Sequence, residues 1–273
     1  MIQYSDSFFR RADDHLVCQD HALHGEVKNM KYAILADGCS SAPNSELGAK
    51  ILTSTLKQYL WDGCDVPLSY GMAIGHANAI RVSLDVSDQV LFATLLMVCG
   101  KGENFLSAIQ GDGFLVGHRK NGIYDIIQQE FKPNPAPYYP AYWIDDTTSN
   151  AYEKSFSNYK MIRNHWQFDC LTQELELKNS GEFVLMEFKK PFIDEWSGDE
   201  YDMVMVLSDG LSGLYRSETK SIISLQEVLK ELLVFKGFSG AFIQRRMQFF
   251  FKRIQELGWR TSDDFSCAAV SHG

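Results

Sequence analysis

Aspartates recur in this chain at the ends of apolar runs. Asp37 follows "KYAILA" and Asp209 follows "MVMVLS", and each precedes a glycine. Asp112 stands between Gly111 and Gly113, Asp263 and Asp264 open the closing run "FSCAAV", and Asp20 lies in "VCQDHAL". A strand end delivers its side chain to the rim of a sheet, and glycine lets a ligand or another backbone come close. Carboxylates gathered at such a rim repel one another unless cations neutralise them. A buried carboxylate with no partner is costly in any case. An oxygen-only donor set selects hard ions, Mg²⁺ or Mn²⁺, over zinc or copper. Taken singly, each Asp-Gly also reads as an ordinary turn.

Other chemistries lack their residues. The sequence has no Gly-x4-Gly-Lys-Ser/Thr loop, no His-Glu-x-x-His pair and no Gly-x-Ser-x-Gly elbow. An aspartyl-phosphate route would want an aspartate two residues before Asp37, and Leu35 is there. The six cysteines (18, 39, 64, 99, 170 and 267) form no Cys-x-x-Cys pair, which argues against structural zinc. Cys99 and Cys267 lie in apolar runs and read as small buried hydrophobes. A net charge of −9 argues against nucleic acid or an anionic membrane as a partner. The N-terminus has no signal-like apolar core, and "VLFATLLMVCG" is too short to span a bilayer. These points lead us to expect a soluble, cytoplasmic protein.

The 273 residues, 45% apolar, suit one large layered domain over 1–273. "KYAILA" (31–36) reads as a buried strand. Residues 44–60 carry a helical stripe with Asn44 or Ser45 as N-cap, and 68–85 read as a second helix interrupted by Gly71 and Gly75. Strands follow at 89–100, 104–110, 114–119 and 123–129, joined by glycine-containing turns, which implies an antiparallel meander. Residues 131–180 hold four of the seven prolines in "KPNPAPYYPAYW" and then a polar stretch, so an insert or flap subdomain is expected there. Strands at 181–190 and 201–210, helices at 224–236 and 239–257 and a final strand at 263–271 complete the reading. Two helix pairs separated by many antiparallel strands give an α+β sandwich.

The ordered set "CQD", "ILADGCSSAPNSELGA", "FATLLMV", "IQGDGFLVGHRKNG", "MVLSDGLSGLY" and "TSDDFSCAAV" resembles the metal-dependent serine/threonine phosphatases of type 2C. It is similar to the bacterial branch that carries Gln-Asp in its first motif. The match runs from about residue 15 to 271 and breaks over 131–180. The resemblance implies a four-layer α-β-β-α sandwich of two antiparallel sheets flanked by helix pairs. It also implies two Mn²⁺ or Mg²⁺ ions sharing a hydroxide that attacks phosphorus in line. On the matching positions, Asp37 would bridge both metals with the Gly38 carbonyl, and Asp209 and Asp263 would each ligate one. Asp20 would hold metal-bound water, and Asp112 matches the place of a third, weaker ion. Asp263 competes with Asp264 and is preferred because the family's terminal motif places the ligand first. A phosphorylated protein substrate and a cognate kinase are the implied partners.

The chain also departs from the family pattern. His15 stands where many members have a phosphate-gripping arginine, so His15 becomes a candidate for binding phosphate or donating a proton. Arg10 and Arg11 are further candidates for the grip. Cys39 replaces a histidine that follows the bridging Asp-Gly in many eukaryotic members, and "GDG" replaces "GDS" around Asp112. A thiol is a poor acid for a leaving alkoxide. Two other readings fit the same residues: a phosphatase-like binding module with weak or no turnover, and a phosphatase of a small phosphorylated molecule. Tyr138, Tyr139, Tyr142 and Trp143 are candidates for a substrate-contact surface.

Overall fold

A computed structural model of the chain describes residues 3–60, 65–133, 137–144, 146–156, 158–184, 187 and 189–273. Seven strands form one antiparallel sheet in the order β1 (Tyr4–Arg10), β14 (Phe265–Ser271), β11 (Tyr201–Leu207), β6 (Gly113–Arg119), β7 (Ile123–Lys132), β8 (Lys160–Asp169), β9 (Leu175–Phe183). Five form a second, in the order β10 (Phe192–Trp196), β5 (Asn104–Gln110), β4 (Leu95–Lys101), β3 (Met30–Ala36), β2 (His21–Val27). A short ribbon pairs β12 (Leu214–Arg216) with β13 (Trp259–Thr261). Helices α1 (Ser45–Gln58) and α2 (Val66–Ser83) cover the smaller sheet. Helices α4 (Leu225–Leu232) and α5 (Phe242–Glu256) cover the larger one, and α3 (Asp146–Ser155) lies between β7 and β8 in sequence. The architecture is the α+β, four-layer α-β-β-α sandwich expected from the motifs.

The long apolar runs are explained by the layers. A strand covered on both faces needs apolar side chains at every position rather than at alternate ones. Along β11, Met203, Met205 and Leu207 face α4 and α5, while Val204 and Val206 face the other sheet. Along β3, Tyr32, Ile34 and Ala36 face α1 and α2, while Ala33 and Leu35 meet Leu96, Val98, Ala268 and Val270 between the sheets.

Several boundaries differ from the sequence reading. Residues 88–91 form a 3-10 turn, so the strand expected from 89 begins at Leu95. Segment 131–180 contributes β8 and most of β9 to the larger sheet, and the strand expected at 181–190 is the end of β9. Residues 134–136, 145 and 157 of that segment, 185, 186 and 188 of that strand, and Cys64 lie outside the described residues. Asn44 is the N-cap of α1, but it is left-handed (φ 57°) and its side chain makes no capping bond. Helix α5 is capped from a distance: its N-cap is Ala241, and Asp6 Oδ2 on β1 accepts from Gln244 N at 2.9 Å.

The larger sheet buries a charge at Asp125. Asp125 on β7 accepts from Tyr201 Oη at 2.6 Å, Gln167 Nε2 at 2.8 Å, His165 Nε2 at 2.9 Å and the Arg119 guanidinium. Burial alone would raise its pKa, and these hydrogen bonds more than reverse that, holding the carboxyl below its usual range. Asp125→Ala strands several donors and should cost on the order of 2–4 kcal/mol in urea denaturation. Because the folded pKa is depressed, this contribution is full above the unfolded value of about 4 and is lost as pH falls through the folded one. Wild-type and Asp125→Ala stabilities should therefore converge in acid; a constant gap at all pH values would contradict the assignment.

Candidate metal centre and active site

Where β3, β6, β11 and β14 reach one end of the sandwich, the chain leaves a cavity of about 460 Å³. Asp37, Gly38, Asp112, Asp209 and Asp263 all line it. Asp37 is fixed to the neighbouring strand's approach: its carbonyl accepts from Thr94 N at 2.8 Å and its own N–H donates to Thr94 Oγ1 at 3.3 Å. Asp112 occupies a turn whose flanking glycines take φ of 102° and 131°, a backbone that other residues adopt only under strain. Gly210, just after Asp209, packs so tightly on the start of β14 that a Cβ there would lie 1.8 Å from the Asp264 carbonyl oxygen. That contact brings Asp209 beside Asp263.

Asp20 is 1% exposed. Ser266, Asp37 and Ser208 are its polar neighbours, yet neither carboxylate oxygen makes a hydrogen bond of normal geometry. Burial pushes its pKa up to about 7, partly offset by those neighbours. Asp37 is raised well above the usual range by burial and by the charges of Asp20 and Asp209. Asp112 is raised by burial and by Asp209, and Asp263 is pushed up to about 6 by the same two causes. Burial and like charge disfavour the ionised forms of these carboxylates, and a cation bound among them would favour those forms.

The two aspartates that open β14 separate by role. Asp264, 2% exposed, accepts from Ala12 N at 2.6 Å, Gln19 N at 2.6 Å and His15 Nδ1 at 3.0 Å, which pins the loop between β1 and β2. Asp263 accepts only from Asp264 N, at 2.8 Å, and otherwise faces the cavity. His15 sits at the margin: it is held by Asp264, is outside the lining, and its charge is felt at Asp263. Arg11 is exposed, donates to the Leu16 carbonyl at 3.0 Å and does not line the cavity. Arg10 is drawn to Asp13, 3.7 Å away, and lies over the Phe251 ring.

Ser208, Ser266, Phe92 and Phe156 were not singled out from sequence, whereas Tyr139, Tyr142 and Cys39 were. Ser208 and Ser266 are joined by Ser266 N donating to Ser208 Oγ at 3.0 Å, and they back onto Asp20. Phe92, Tyr139, Tyr142 and Phe156 form an aromatic wall, with Phe92 stacked on Tyr139 at 5.7 Å. Tyr139 also reaches Cys39. Burial would raise that thiol, but bonds from Ser41, Tyr139 and Ala42 bring its pKa down. Tyr138 is buried behind the wall rather than on it, and Trp143 packs there too. No pattern of spacing marks the serines, whereas the tyrosine-rich stretch was visible as composition.

Among the described residues, no group of three or more acidic, histidine or cysteine side chains is placed to hold an ion as it stands. The donor set nonetheless fits a hard divalent cation. Four carboxylates line the cavity, no lysine or arginine lines it among the described residues, and Asp20 has two buried oxygens with no partner.

This fold and this acidic cavity define a phosphatase class. Residues 10–237 match the family model "Protein phosphatase 2C", and the chain belongs to that family of metal-dependent protein phosphatases. Among solved structures, the chain resembles the serine/threonine phosphatase Stp1 from Staphylococcus aureus (TM-score 0.56, 14% identity, covering 100% of this chain and 96% of that one). It resembles PstP/Ppp from Mycobacterium tuberculosis equally (TM-score 0.55, 12% identity, 99% of each chain). A PstP catalytic domain solved with two manganese ions is a further neighbour (TM-score 0.54, 13% identity, 98% of this chain and 97% of that one). At such identities the likeness establishes the fold. No curated protein matches the sequence.

The raised carboxyls carry a stability consequence. A group whose folded pKa is raised contributes its stability below the unfolded value of about 4 and loses it as pH rises through the folded value. For Asp263 and Asp20 that loss runs up to about 6 and about 7. With EDTA present, the melting temperature should fall between about pH 5 and pH 7.5, and Asp20→Asn should melt higher than wild type at the upper pH. Mn²⁺ should raise the melting temperature more at the upper pH than at the lower. A flat profile in EDTA would remove the electrostatic account of the cavity.

Proposed function

We propose that the chain is a Mn²⁺- or Mg²⁺-dependent hydrolase of phosphoserine and phosphothreonine in proteins. The observation that carries this reading is the cavity lined by Asp37, Asp112, Asp209 and Asp263 and backed by partnerless Asp20. Asp37, Asp209 and Asp263 hold two ions in this reading, with the Gly38 carbonyl beside them and Asp20 behind. Asp112 serves a third, weaker one. When bound, such ions supply an activated water at neutral pH and balance charge on phosphoryl oxygens.

The chain's own groups do the rest. The turn at Asp112 and the Gly210 contact fix the carboxylates before substrate arrives, so little reorganisation is left for the reaction itself. Phe92 and Tyr139 close one side of the cavity against bulk water. Asp264 holds Nδ1 of His15, which leaves Nε2 as the ring nitrogen that exchanges a proton with substrate or leaving group. Arg11 takes a peripheral part in gripping phosphate. The chain acts as one phosphatase domain over 1–273, and segment 131–180 is an insert whose Tyr139, Tyr142 and Phe156 meet the phosphopeptide. We place it in the cytoplasm, opposing a kinase in phosphorylation signalling. No helix of the described residues is long and apolar enough to cross a membrane.

The test is hydrolysis of an aryl phosphate and of phosphoserine and phosphothreonine peptides with Mn²⁺, with Mg²⁺ and with EDTA. Turnover should require metal and should fall to background in Asp37→Ala and in Asp209→Ala, both still folded by circular dichroism. His15→Ala should lose roughly 10²-fold in kcat and alter the pH profile. Turnover that survives Asp37→Ala would refute the assignment. Calorimetry that detects no Mn²⁺ binding, together with no turnover, would leave a binding module.

A further inference from the structure

The outer helical layer carries a groove that hydrolysis does not use. Helices α4 and α5 and the loop at 233–241 border a hollow of about 560 Å³ that shares no lining residue with the metal cavity. In a chain of net charge −9, this hollow is lined by Lys236, Arg245, Arg246, Lys252 and Arg253 against Glu231 and Glu256. Arg253 is shared between the two glutamates at 3.3 and 3.6 Å. Arg246 closes the end of α4, donating to the Leu232 and Glu231 carbonyls, and Arg245 donates to Ser239 O. Lys236 and Lys252 form no ion pair among the described residues.

Two apolar side chains are exposed in the same hollow, Phe249 at 65% and Val234 at 58%. The inward face of α5 is filled by Met247, Phe250 and Phe251, so the core does not need Phe249. Helical spacing sets Phe249 between Arg245 and the Lys252–Arg253 pair, giving a cation–aromatic–cation stripe along one ridge.

We propose that this groove docks an acidic, amphipathic segment of a partner protein. Its carboxylates meet Lys236, Arg245 and Lys252, and an apolar side chain seats against Phe249 and Val234. Charge and aromatic anchor are the two ingredients of such recognition. Other occupants fit less well. A second copy related by two-fold symmetry would set the cationic stripe against itself. A nucleic-acid backbone is charged at every repeat and would meet Glu231 and Glu256 wherever it lay in the groove, whereas a peptide can set uncharged side chains against them. A bilayer surface is flat where this surface is concave.

The probe is a fluorescein-labelled synthetic peptide of repeated Glu-Glu-Leu units, titrated with the full chain and followed by anisotropy. Saturable binding is expected. It should weaken by roughly tenfold or more in Lys236→Glu/Lys252→Glu, in Phe249→Asp and when serine replaces leucine in the peptide, and it should weaken with salt. Both variants lie outside the metal cavity, so aryl phosphate hydrolysis should match wild type. If Phe249→Asp melts early, the lysine variant, altered only at exposed positions, carries the test. Binding that ignores these substitutions, no binding at all, or tighter binding of an oligonucleotide or of phosphatidylglycerol vesicles at the same residues would each overturn the proposal.

Discussion

Mutual repulsion among the cavity aspartates is the constraint around which the molecule is organised. Asp37 follows β3 of the five-stranded sheet, Asp209 follows β11 and Asp263 precedes β14 in the seven-stranded one, and Asp112 lies in the turn that passes from β5 to β6 between the two sheets. The charges therefore meet across the seam between sheets, and the packing between those sheets helps to hold them there. Leu35, Leu96, Leu115, Val206 and Ala268 make that packing, and each is fully buried. Burial of such side chains is worth roughly 1.5–3 kcal/mol apiece for the larger ones. The inter-sheet core is thus both the stabilising layer and the device that forces like charges together.

The neighbouring backbone shows how the strain is confined. Asp263 and Asp264 are adjacent and chemically identical, yet one is satisfied by three donors from the loop at 12–19 and the other by a single backbone N–H. Hydrogen bonding separates the tethering carboxylate of Asp264 from that of Asp263, which keeps its free capacity toward the cavity. The same tether brings His15 and Gln19 to the cavity's edge, so the loop that lacks the family's arginine is still held in place. Asp20, at the end of that loop, is delivered buried and without a partner, which only a cation or a proton relieves.

Much of this was legible in the sequence, for physical reasons. Asp37 and Asp209 stood out because each ends a run apolar at every position, which is what a strand buried on both faces requires. The α1 and α5 stripes were visible because one face of each meets a sheet. What stayed hidden depended on partners distant in the chain. Strand β9 is an edge strand, exposed at most positions, so it has no hydrophobic period to read. Strand β1 carries a buried Asp6, which looks wrong for a strand until Gln244 N is found to be its partner. The preference for Asp263 over Asp264 came from the resemblance, and the physical difference between them, the donors that the loop at 12–19 gives to Asp264 from some 250 residues away, was not visible in the sequence.

The composition of the cavity wall ties phosphate recognition to cation binding. Lysine and arginine are missing from its described lining, and His15 and Arg11 stand outside it. A phosphoryl group entering there meets four carboxylates and an aromatic wall, an environment that repels it at every protonation state in which the aspartates are ionised. In the reading proposed above, every positive charge the substrate meets inside the cavity is one the aspartates have first bound, with Arg11 and His15 acting from its margin. Ion binding and substrate binding are then coupled: the factor by which bound ions raise substrate affinity is the factor by which bound substrate raises ion affinity.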